Sequence, residues 1–276
     1  MLRYDLHCHS THSDGLLTPR ALVCRSAERG VDVLALTDHD ELSGIAEAKQ
    51  AAGEARIRLV PGVELSVSWR HVTLHVLGLH VDPDCPALCS GLETIRAGRS
   101  ARARRMGDAL AAVGIPGAYE GALRQVTSER LISRTHFARF LVEAGHARST
   151  KDVFQRYLAS GKPGHVEHTW ASLPQAIGWI DAAGGQAVLA HPGRYPLSPT
   201  EMQDLLTEFQ AGGGAGIEVQ SPSHSATQVL EFARHARRLG LAASSGSDYH
   251  GPGEGSVDLG DMPPLPAGLV PIWQDW

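Results

Sequence analysis

Val33-Leu34-Ala35-Leu36-Thr37-Asp38-His39-Asp40 is a short apolar run that passes directly into a hydroxyl, two carboxylates and an imidazole. A run of this length reads as a strand buried on both faces, and the polar residues read as the end of that strand. The same habit recurs along the chain. Leu59-Val60 runs into Pro61-Gly62-Val63-Glu64, Ala187-Val188-Leu189-Ala190 into His191-Pro192, and Ala242-Ala243 into Ser247-Asp248-Tyr249-His250. Near the start, His7 and His9 stand two apart on a strand, so both imidazoles leave one face while Cys8 points the other way into packing. Asp14 follows in His12-Ser13-Asp14-Gly15, where a tight turn can swing the carboxylate back over the strand end, and His75 lies within its own strand. A single histidine after an apolar strand is more often structural than functional. Five strand ends built alike are not expected by chance.

The runs Leu2 to Cys8, Val31 to Leu36, Ile57 to Val63, Val72 to Leu79, Gln186 to Ala190, Gly216 to Val219 and Leu241 to Ser245 are the candidate strands. Helical patterns lie between several of them: Thr18-Pro19 through Glu28 with Gly30 as stop, Ser43 through Ala52 stopped by Gly53, and Ser223 through Leu239 stopped by Gly240. Strands alternating with helices predict a parallel sheet with crossover helices, and seven strands favour a closed barrel over an open sheet. In such a barrel the carboxyl ends of the strands share one rim, so side chains remote in sequence converge there.

The rhythm breaks over residues 85–169, where Arg96 to Val113, Ala118 to Val126, Thr135 to Ala144 and Thr150 to Ala159 read as helices and no run reads as a strand. The chain therefore divides into a first barrel part (1–84), a helical insertion (85–169) and a second barrel part (170–276). The insertion carries 13 basic and 7 acidic residues, whereas the remainder carries 12 and 23. A basic cap over an acidic barrel would draw an anionic ligand towards a cation-filled site; a solvated helical face explains the same charge count.

Composition sets the outer limits. At 276 residues with 42% hydrophobic and 20% charged residues, the chain suits one large core and contains no apolar run long enough to span a bilayer. The four cysteines, Cys8, Cys24, Cys85 and Cys89, are too irregular for a disulfide framework, and Cys85 and Cys89 lack the second Cys/His pair of a zinc finger. Met1-Leu2-Arg3-Tyr4-Asp5 leads into ligand-type residues without an apolar signal region, so the expected location is cytoplasmic, with no membrane partner and no obligate protein partner inferred. No Walker loop and no nucleophile elbow are present, and Gly212-Gly213-Gly214 reads as a turn before a strand.

His7-Cys8-His9-Ser10, Thr11-His12-Ser13-Asp14-Gly15, Thr37-Asp38-His39, Pro61-Gly62-Val63-Glu64, Ala190-His191-Pro192 and Ser247-Asp248-Tyr249-His250 resemble, in order and spacing, the motifs of the polymerase and histidinol phosphatase (PHP) family. The resemblance implies an α/β fold: a distorted seven-stranded β/α (TIM-like) barrel with a helical insertion domain and a trinuclear metal centre. Carried over residue by residue, it implies His7, His9, Glu64 and Asp248 on one metal, Glu64 as a bridge with His75 and His191 on a second, and Asp14, His39 and His250 on a third. Glu64, Asp248 and His191 would then be the residues on which catalysis depends most directly. Many relatives carry histidine where this chain has Asp14, and a carboxylate hardens that site towards Mn2+ or Mg2+ over Zn2+. Six imidazoles and three carboxylates without a thiolate suit Mn2+, Fe2+ or Zn2+, with Mn2+ favoured.

The stretch Ser133-Arg134-Thr135-His136-Phe137-Ala138-Arg139-Phe140-Leu141, with the arginine helix before it, resembles a narrower subgroup. Its members remove the 3′-phosphate from nucleoside 3′,5′-bisphosphates, such as adenosine 3′,5′-bisphosphate, and some act as 5′-3′ exoribonucleases on short RNA. The implied substrate contacts are Arg134 and His136, with Arg99 and Arg102 on a neighbouring helix, whose alternative is salt-bridging within the cap. His12 could contact phosphate or protonate the leaving oxygen, or only stabilise its loop. Asp38, Asp40 and Glu218 read as residues that orient ligands rather than bind metal. Three rivals stand beside this reading. A histidinol phosphatase would use the same metals, but a basic cap suits a substrate with two phosphates better. The exonuclease module of a DNA polymerase would have polymerase sequence attached. A non-catalytic, metal-stabilised module would have lost ligands, and all nine positions are filled.

Overall fold

The computed structural model describes residues 2–126 and 128–276. Seven strands follow one another around the sheet: β1 (Tyr4–Asp5), β2 (Val33–Leu36), β3 (Arg58–Trp69), β4 (Val72–Leu79), β6 (Gln186–Leu189), β7 (Gly216–Gln220) and β8 (Ala242–Ser245), with the short β5 (Ala171–Ser172) pairing beside β3. The first and last strands meet where Leu6 N–H donates to Ser245 C=O at 3.1 Å and His9 N–H to Tyr249 C=O at 2.9 Å, with Cys8 bridging Tyr249 in parallel. These contacts bring the sheet nearly to a closed barrel, as expected.

The all-parallel expectation needs correction at one strand. β4 runs antiparallel to both β3 and β6, whereas the other pairs are parallel. The reason is local. Trp69 pairs with Val72, so only Arg70 and His71 separate the two strands, and a two-residue link makes a hairpin because a parallel return needs a crossover. Arg70 takes the turn at φ +49°. His75 therefore reaches the rim from the amino-terminal half of its strand, not from a carboxyl end.

Alternation sorts the side chains. Val33 and Ala35 on β2, Val60 on β3, Leu77 and Leu79 on β4, and Val188 on β6 fill the barrel interior together with Leu6, Ala190 and Ile272. The same parity continues to the rim as His39, Glu64 and His75, so the inward row is apolar at depth and ligand-bearing at the mouth. Tyr4 stacks on Trp273 at 4.3 Å beneath this interior. The opposite strand faces pack against α1 (Pro19–Glu28), α2 (Ile45–Ala55), the start of α3 (Pro86–Ala111), α7 (Leu173–Ala182), α8 (Pro199–Ala211) and α9 (Ala226–Leu239).

Thr18 caps α1 through its hydroxyl, and Ser225, two residues beyond the expected start, caps α9. Gly53 does not stop its helix: α2 continues to Ala55 and ends where Arg56 takes φ +57°. A glycine inside a helix costs about 1 kcal/mol against alanine, a penalty that the buried face of Ile45, Ala48, Ala51 and Ala52 offsets.

Between β4 and β5 the chain contributes α3, α4 (Ala118–Leu123), α5 (Arg134–Glu143) and α6 (Thr150–Val153), the last passing into a π turn at Phe154–Leu158, with no strand among the described residues. These helices enclose their own core of Ala103, Met106, Leu110, Tyr119, Phe137, Leu141, Val153 and Leu158. Leu88 and Leu92, earlier on α3, belong to the barrel shell instead. One long helix is thus shared, with its first turns on the barrel and its last turns in the cap.

Candidate metal centre and the cap above it

The rim is built by close backbone approach. A Cβ on Gly15 would meet His9 C=O at 2.1 Å, and one on Gly246 would meet His7 Cβ at 2.3 Å, so neither position can carry a side chain without moving a ligand strand. His191 at φ +28° and Asp248 at φ +49° occupy a region that residues other than glycine seldom adopt. Strain of this kind persists where surrounding contacts fix it, and Glu218 does so by accepting from the His191 backbone N–H at 2.6 Å.

All nine expected ligands converge. His7 Nε2 lies 3.3 Å from Glu64 Oε1 and 3.5 Å from Asp248 Oδ1, and His9 Nε2 lies 3.4 Å from Glu64 Oε2 and 3.3 Å from Asp248 Oδ1. Glu64 Oε1 also stands 2.9 Å from His75 Nδ1 and 3.0 Å from His191 Nε2. Asp14 Oδ1 lies 3.3 Å from His250 Nε2 and 3.8 Å from His39 Nε2. The groupings overlap more than the residue-by-residue reading implies, because His39 Nδ1 also approaches Glu64 Oε2 at 2.9 Å. Four sets have ligand atoms close enough to share an ion: His9, Asp14, His39 and His250; His7, His9 and Asp248; His7, Glu64 and His191; and His39, Glu64 and His75.

Whether the residues fit divalent cations can be tested on their unpartnered atoms. His7 Nε2, His9 Nε2 and Asp14 Oδ1 are buried without a hydrogen-bond partner, and each faces other members of the centre. Buried polar atoms are almost always satisfied, so a cluster of exceptions marks a place for cations. The electrostatics agree. Burial opposes ionisation of Glu64, yet His39 and His7 hold its carboxyl well below the usual range, and His39 and His250 do the same for Asp14. Burial pushes His9 down to about 3 and His75 down to about 4, which leaves these two imidazoles neutral, whereas the facing carboxylates outweigh burial at His7, His39 and His250 and raise all three, the last to about 9, so a cation binding there would displace protons. The residues fit bound metal ions.

Around this centre the three expected orienting carboxylates take different tasks. Glu218 Oε1 accepts from His7 Nδ1 at 2.9 Å, which turns Nε2 into the cluster. Asp38 touches no imidazole; it accepts from Ser10 N–H, Ser10 hydroxyl and Ser13 hydroxyl at 2.6–2.7 Å and so fixes the loop that carries Asp14. Asp40 accepts from Ser66 N–H and hydroxyl and pairs with Arg99.

The expected substrate residues separate into groups. Arg99 is buried and engaged by Asp40 and Ser66, a contact between cap and barrel rather than within the cap. Arg102 is buried, donates through Nε to Val166 C=O at 3.2 Å and lies over the Trp170 ring at 5.4 Å, with no carboxylate partner among the described residues. Burial, with Arg134 and Arg99 nearby, pushes it down to about 9. Arg134, the first residue of α5, likewise makes no ion pair among the described residues and sits over Phe154 at 5.7 Å. Burial lowers its pKa, and the charges acting on it include Arg99, Arg194 and Asp14. His136 is buried as part of a capping box, accepting from Ser133 N–H through Nδ1 at 3.0 Å, and burial pushes it down to about 4. His12 stands apart from the ligand sets: its Nδ1 meets Ser43 hydroxyl at 2.7 Å, in a cavity of about 330 Å³ shared with Glu41, Arg96 and Arg130.

Sequence reading missed Arg194. It follows His191-Pro192-Gly193, and its guanidinium reaches Asp248 Oδ2 at 2.8 Å while the side chain stays half exposed at 50%. Its position three residues after a candidate ligand, in the same loop, was the available signal. Tyr195 was missed as well; its hydroxyl donates to Ala190 C=O at 2.7 Å and receives His75 N–H at 2.9 Å, tying two ligand-bearing strands together.

Comparison with known proteins agrees with this geometry. Residues 5–222 match the PHP domain family. A 3′,5′-nucleoside bisphosphate phosphatase from Chromobacterium violaceum is 52% identical over 275 residues, covering 100% of this chain and 96% of that protein. The 5′-3′ exoribonuclease Rnm of Escherichia coli is 43% identical, covering 99% and 93%. A solved structure of a putative metal-dependent phosphoesterase from Bifidobacterium adolescentis superposes with a TM-score of 0.84 at 31% identity, covering 98% of this chain and 93% of that one. The ligand-bearing barrel, the filled rim and these relatives together place the chain in the PHP family of metal-dependent phosphoesterases.

Proposed function

We propose that this protein is a metal-dependent phosphatase that removes the 3′-phosphate from nucleoside 3′,5′-bisphosphates, with 5′-3′ hydrolysis of short RNA as a second activity of the same site. The observation that carries the substrate class is the juxtaposition of a cation-ready rim with two guanidiniums, the buried Arg102 and the half-buried Arg134, neither of which forms an ion pair with a carboxylate among the described residues. Leaving a guanidinium such as that of Arg102 buried and unpaired is costly unless a ligand supplies the anion. The residues 85–169 are read as the substrate cap, with Arg134, Arg102 and His136 on the 5′-phosphate side. Arg99 fixes the cap to Asp40, and His12 lies beyond the rim.

Three divalent ions are proposed, Mn2+ first, held by the nine rim residues as His7, His9, Glu64 and Asp248; Glu64, His75 and His191; and Asp14, His39 and His250. When bound, such ions lower the pKa of water and neutralise phosphate oxygens. The chain's own part is placement. Glu64 spans two sites, Glu218 sets the His7 ring, and Arg194 stands beside Asp248 where it can meet a phosphate oxygen. Among the described residues no helix is long and apolar enough to cross a membrane; a cytoplasmic setting is proposed from the nucleotide substrate.

The test is phosphate release from a panel of nucleoside 3′,5′-bisphosphates, histidinol phosphate and 5′-phosphorylated oligonucleotides, with Mn2+ and with chelator. The reading expects the bisphosphates to give the highest kcat/KM and chelator to abolish turnover. Preference for histidinol phosphate, or full activity in chelator, would overturn it.

A further inference from the structure

The cap meets the rim at one ligand. Asp14 Oδ1 faces His39 and His250, but its other oxygen, Oδ2, accepts a hydrogen bond from the Ser133 hydroxyl at 3.0 Å, and Ser133 is the residue that caps α5. Six residues further along α5, Arg139 reaches the same place. Its guanidinium donates to the Asp14 backbone C=O at 2.5 Å and forms a two-point pair with Glu254, Nε to Oε1 and a terminal nitrogen to Oε2, both at 2.6 Å. The Arg139 side chain is only 9% exposed and Glu254 16%. Glu254 lies in the loop that follows His250, and that loop is already joined to the Asp14 loop, because Leu16 N–H donates to His250 C=O at 2.7 Å.

We infer that Arg139 is a positioning residue for the cation site formed by Asp14, His39 and His250, and that this site is complete only when the cap is seated. The other candidate ligands stand on strand ends tied by barrel contacts. Asp14 and His250 stand on two facing loops, and one planar guanidinium from the cap spans both. Arginine suits this task because its fork serves a carboxylate with two donors while a third reaches a carbonyl. Glu254 neutralises the charge, so the clamp holds the ligands without repelling a cation. Ser133 adds a second constraint by fixing the rotation of the Asp14 carboxylate, which leaves Oδ1 for the metal. The cap would thereby do more than gather substrate: its docking would set the affinity of one ion and leave the others to the barrel.

This inference rests on the three-ion reading, and the measurement separates the two. Wild type, Arg139→Gln, Glu254→Gln and Arg139→Lys are loaded with Mn2+, dialysed against a fixed low Mn2+ concentration, and assayed for bound ions by elemental analysis and for affinity by titration calorimetry. Circular dichroism and thermal melting check that each variant folds. The expected result is close to three ions in wild type and close to two in Arg139→Gln and Glu254→Gln, with the third regained at roughly ten- to a hundredfold higher Mn2+, the range for residues that support metal ligands. Arg139→Lys keeps the charge without the fork and should fall between them. The Mn2+ concentration for half-maximal turnover should rise in parallel, equally for a nucleoside bisphosphate and a small aryl phosphate. Three ions at unchanged affinity in both neutralising variants would overturn the clamp and leave the three-ion reading standing. Two ions in wild type would overturn both.

Discussion

The rim and the cap use charge in opposite ways. At the rim, Asp14, Glu64 and Asp248 face imidazoles, the backbone is pinned by glycine contacts and left-handed residues, and His7 Nε2, His9 Nε2 and Asp14 Oδ1 are buried without a hydrogen-bond partner. In the cap, the unpartnered groups are guanidiniums, held over aromatic rings or by a backbone carbonyl. One region gathers carboxylates and imidazoles and the other presents two guanidiniums without an ion pair among the described residues, so a phosphate ester bound with metal ions would satisfy both. The division also implies that the two jobs can be damaged separately.

The largest effect is expected at Glu64, whose two oxygens approach five imidazoles: Oε1 faces His7, His75 and His191, and Oε2 faces His9 and His39. Glu64→Gln removes the charge that two sites share. Turnover should fall by more than the roughly 10- to 100-fold typical of outer-shell changes, for bisphosphate and aryl phosphate alike, and by more than for any single histidine variant. Elemental analysis should show ions lost together. Retention of all ions with nearly wild-type turnover would remove Glu64 from the centre of the rim.

Glu218 comes next, because it acts on the rim from behind. Glu218→Gln keeps an acceptor for His7 but loses the charge that favours its Nδ1–H form, and weakens the contact that holds His191 at its strained φ. Losses of roughly 10- to 100-fold in metal affinity are expected, again regardless of substrate. A change confined to KM for one substrate would mean that Glu218 faces the ligand and not the imidazole.

How much of this was legible follows from the range of each signal. The convergence of the rim was legible because a barrel collects strand ends, so the polar residues at the ends of apolar runs could be expected to meet; which of them, among His7, His9, His39, Glu64 and His191, would be the candidate ligands came from the resemblance to the PHP motifs. The reversal of β4 was nearly legible, since Arg70 and His71 are too few for a crossover, but the apolar runs on either side look alike in both directions. Other features depend on partners far away in sequence. Nothing near Arg99 announces Asp40, nothing near Arg139 announces Glu254, and the end of α2 at Arg56 reflects where its packed face runs out, not where glycine stands. Charge counting found the basic cap but could not say which cations were spent: Arg96, Arg99, Arg104, Arg130 and Arg139 are paired, and Arg102 and Arg134 are not, among the described residues.

That last distinction yields the smallest and most selective prediction. Arg134→Ala removes a guanidinium one residue from the Ser133 contact with Asp14, close to the rim but without a hydrogen bond to any ligand. Charge-assisted bonds of the kind it could make to a phosphate are worth roughly 1.5–3 kcal/mol, so kcat/KM for a nucleoside 3′,5′-bisphosphate should drop about ten- to a hundredfold. A small aryl phosphate has no second phosphate to lose and should be turned over nearly as by wild type, with bound metal unchanged. Stability should change little, because the variant removes a half-buried side chain that forms no ion pair among the described residues. Arg99→Ala would behave differently: it strands Asp40 and should lower thermal stability, with any loss of activity shared by both substrates. If Arg134→Ala lowered both activities equally, or neither, the cap would not read the second phosphate, and the unpaired guanidiniums above the rim would have to be explained by the fold alone.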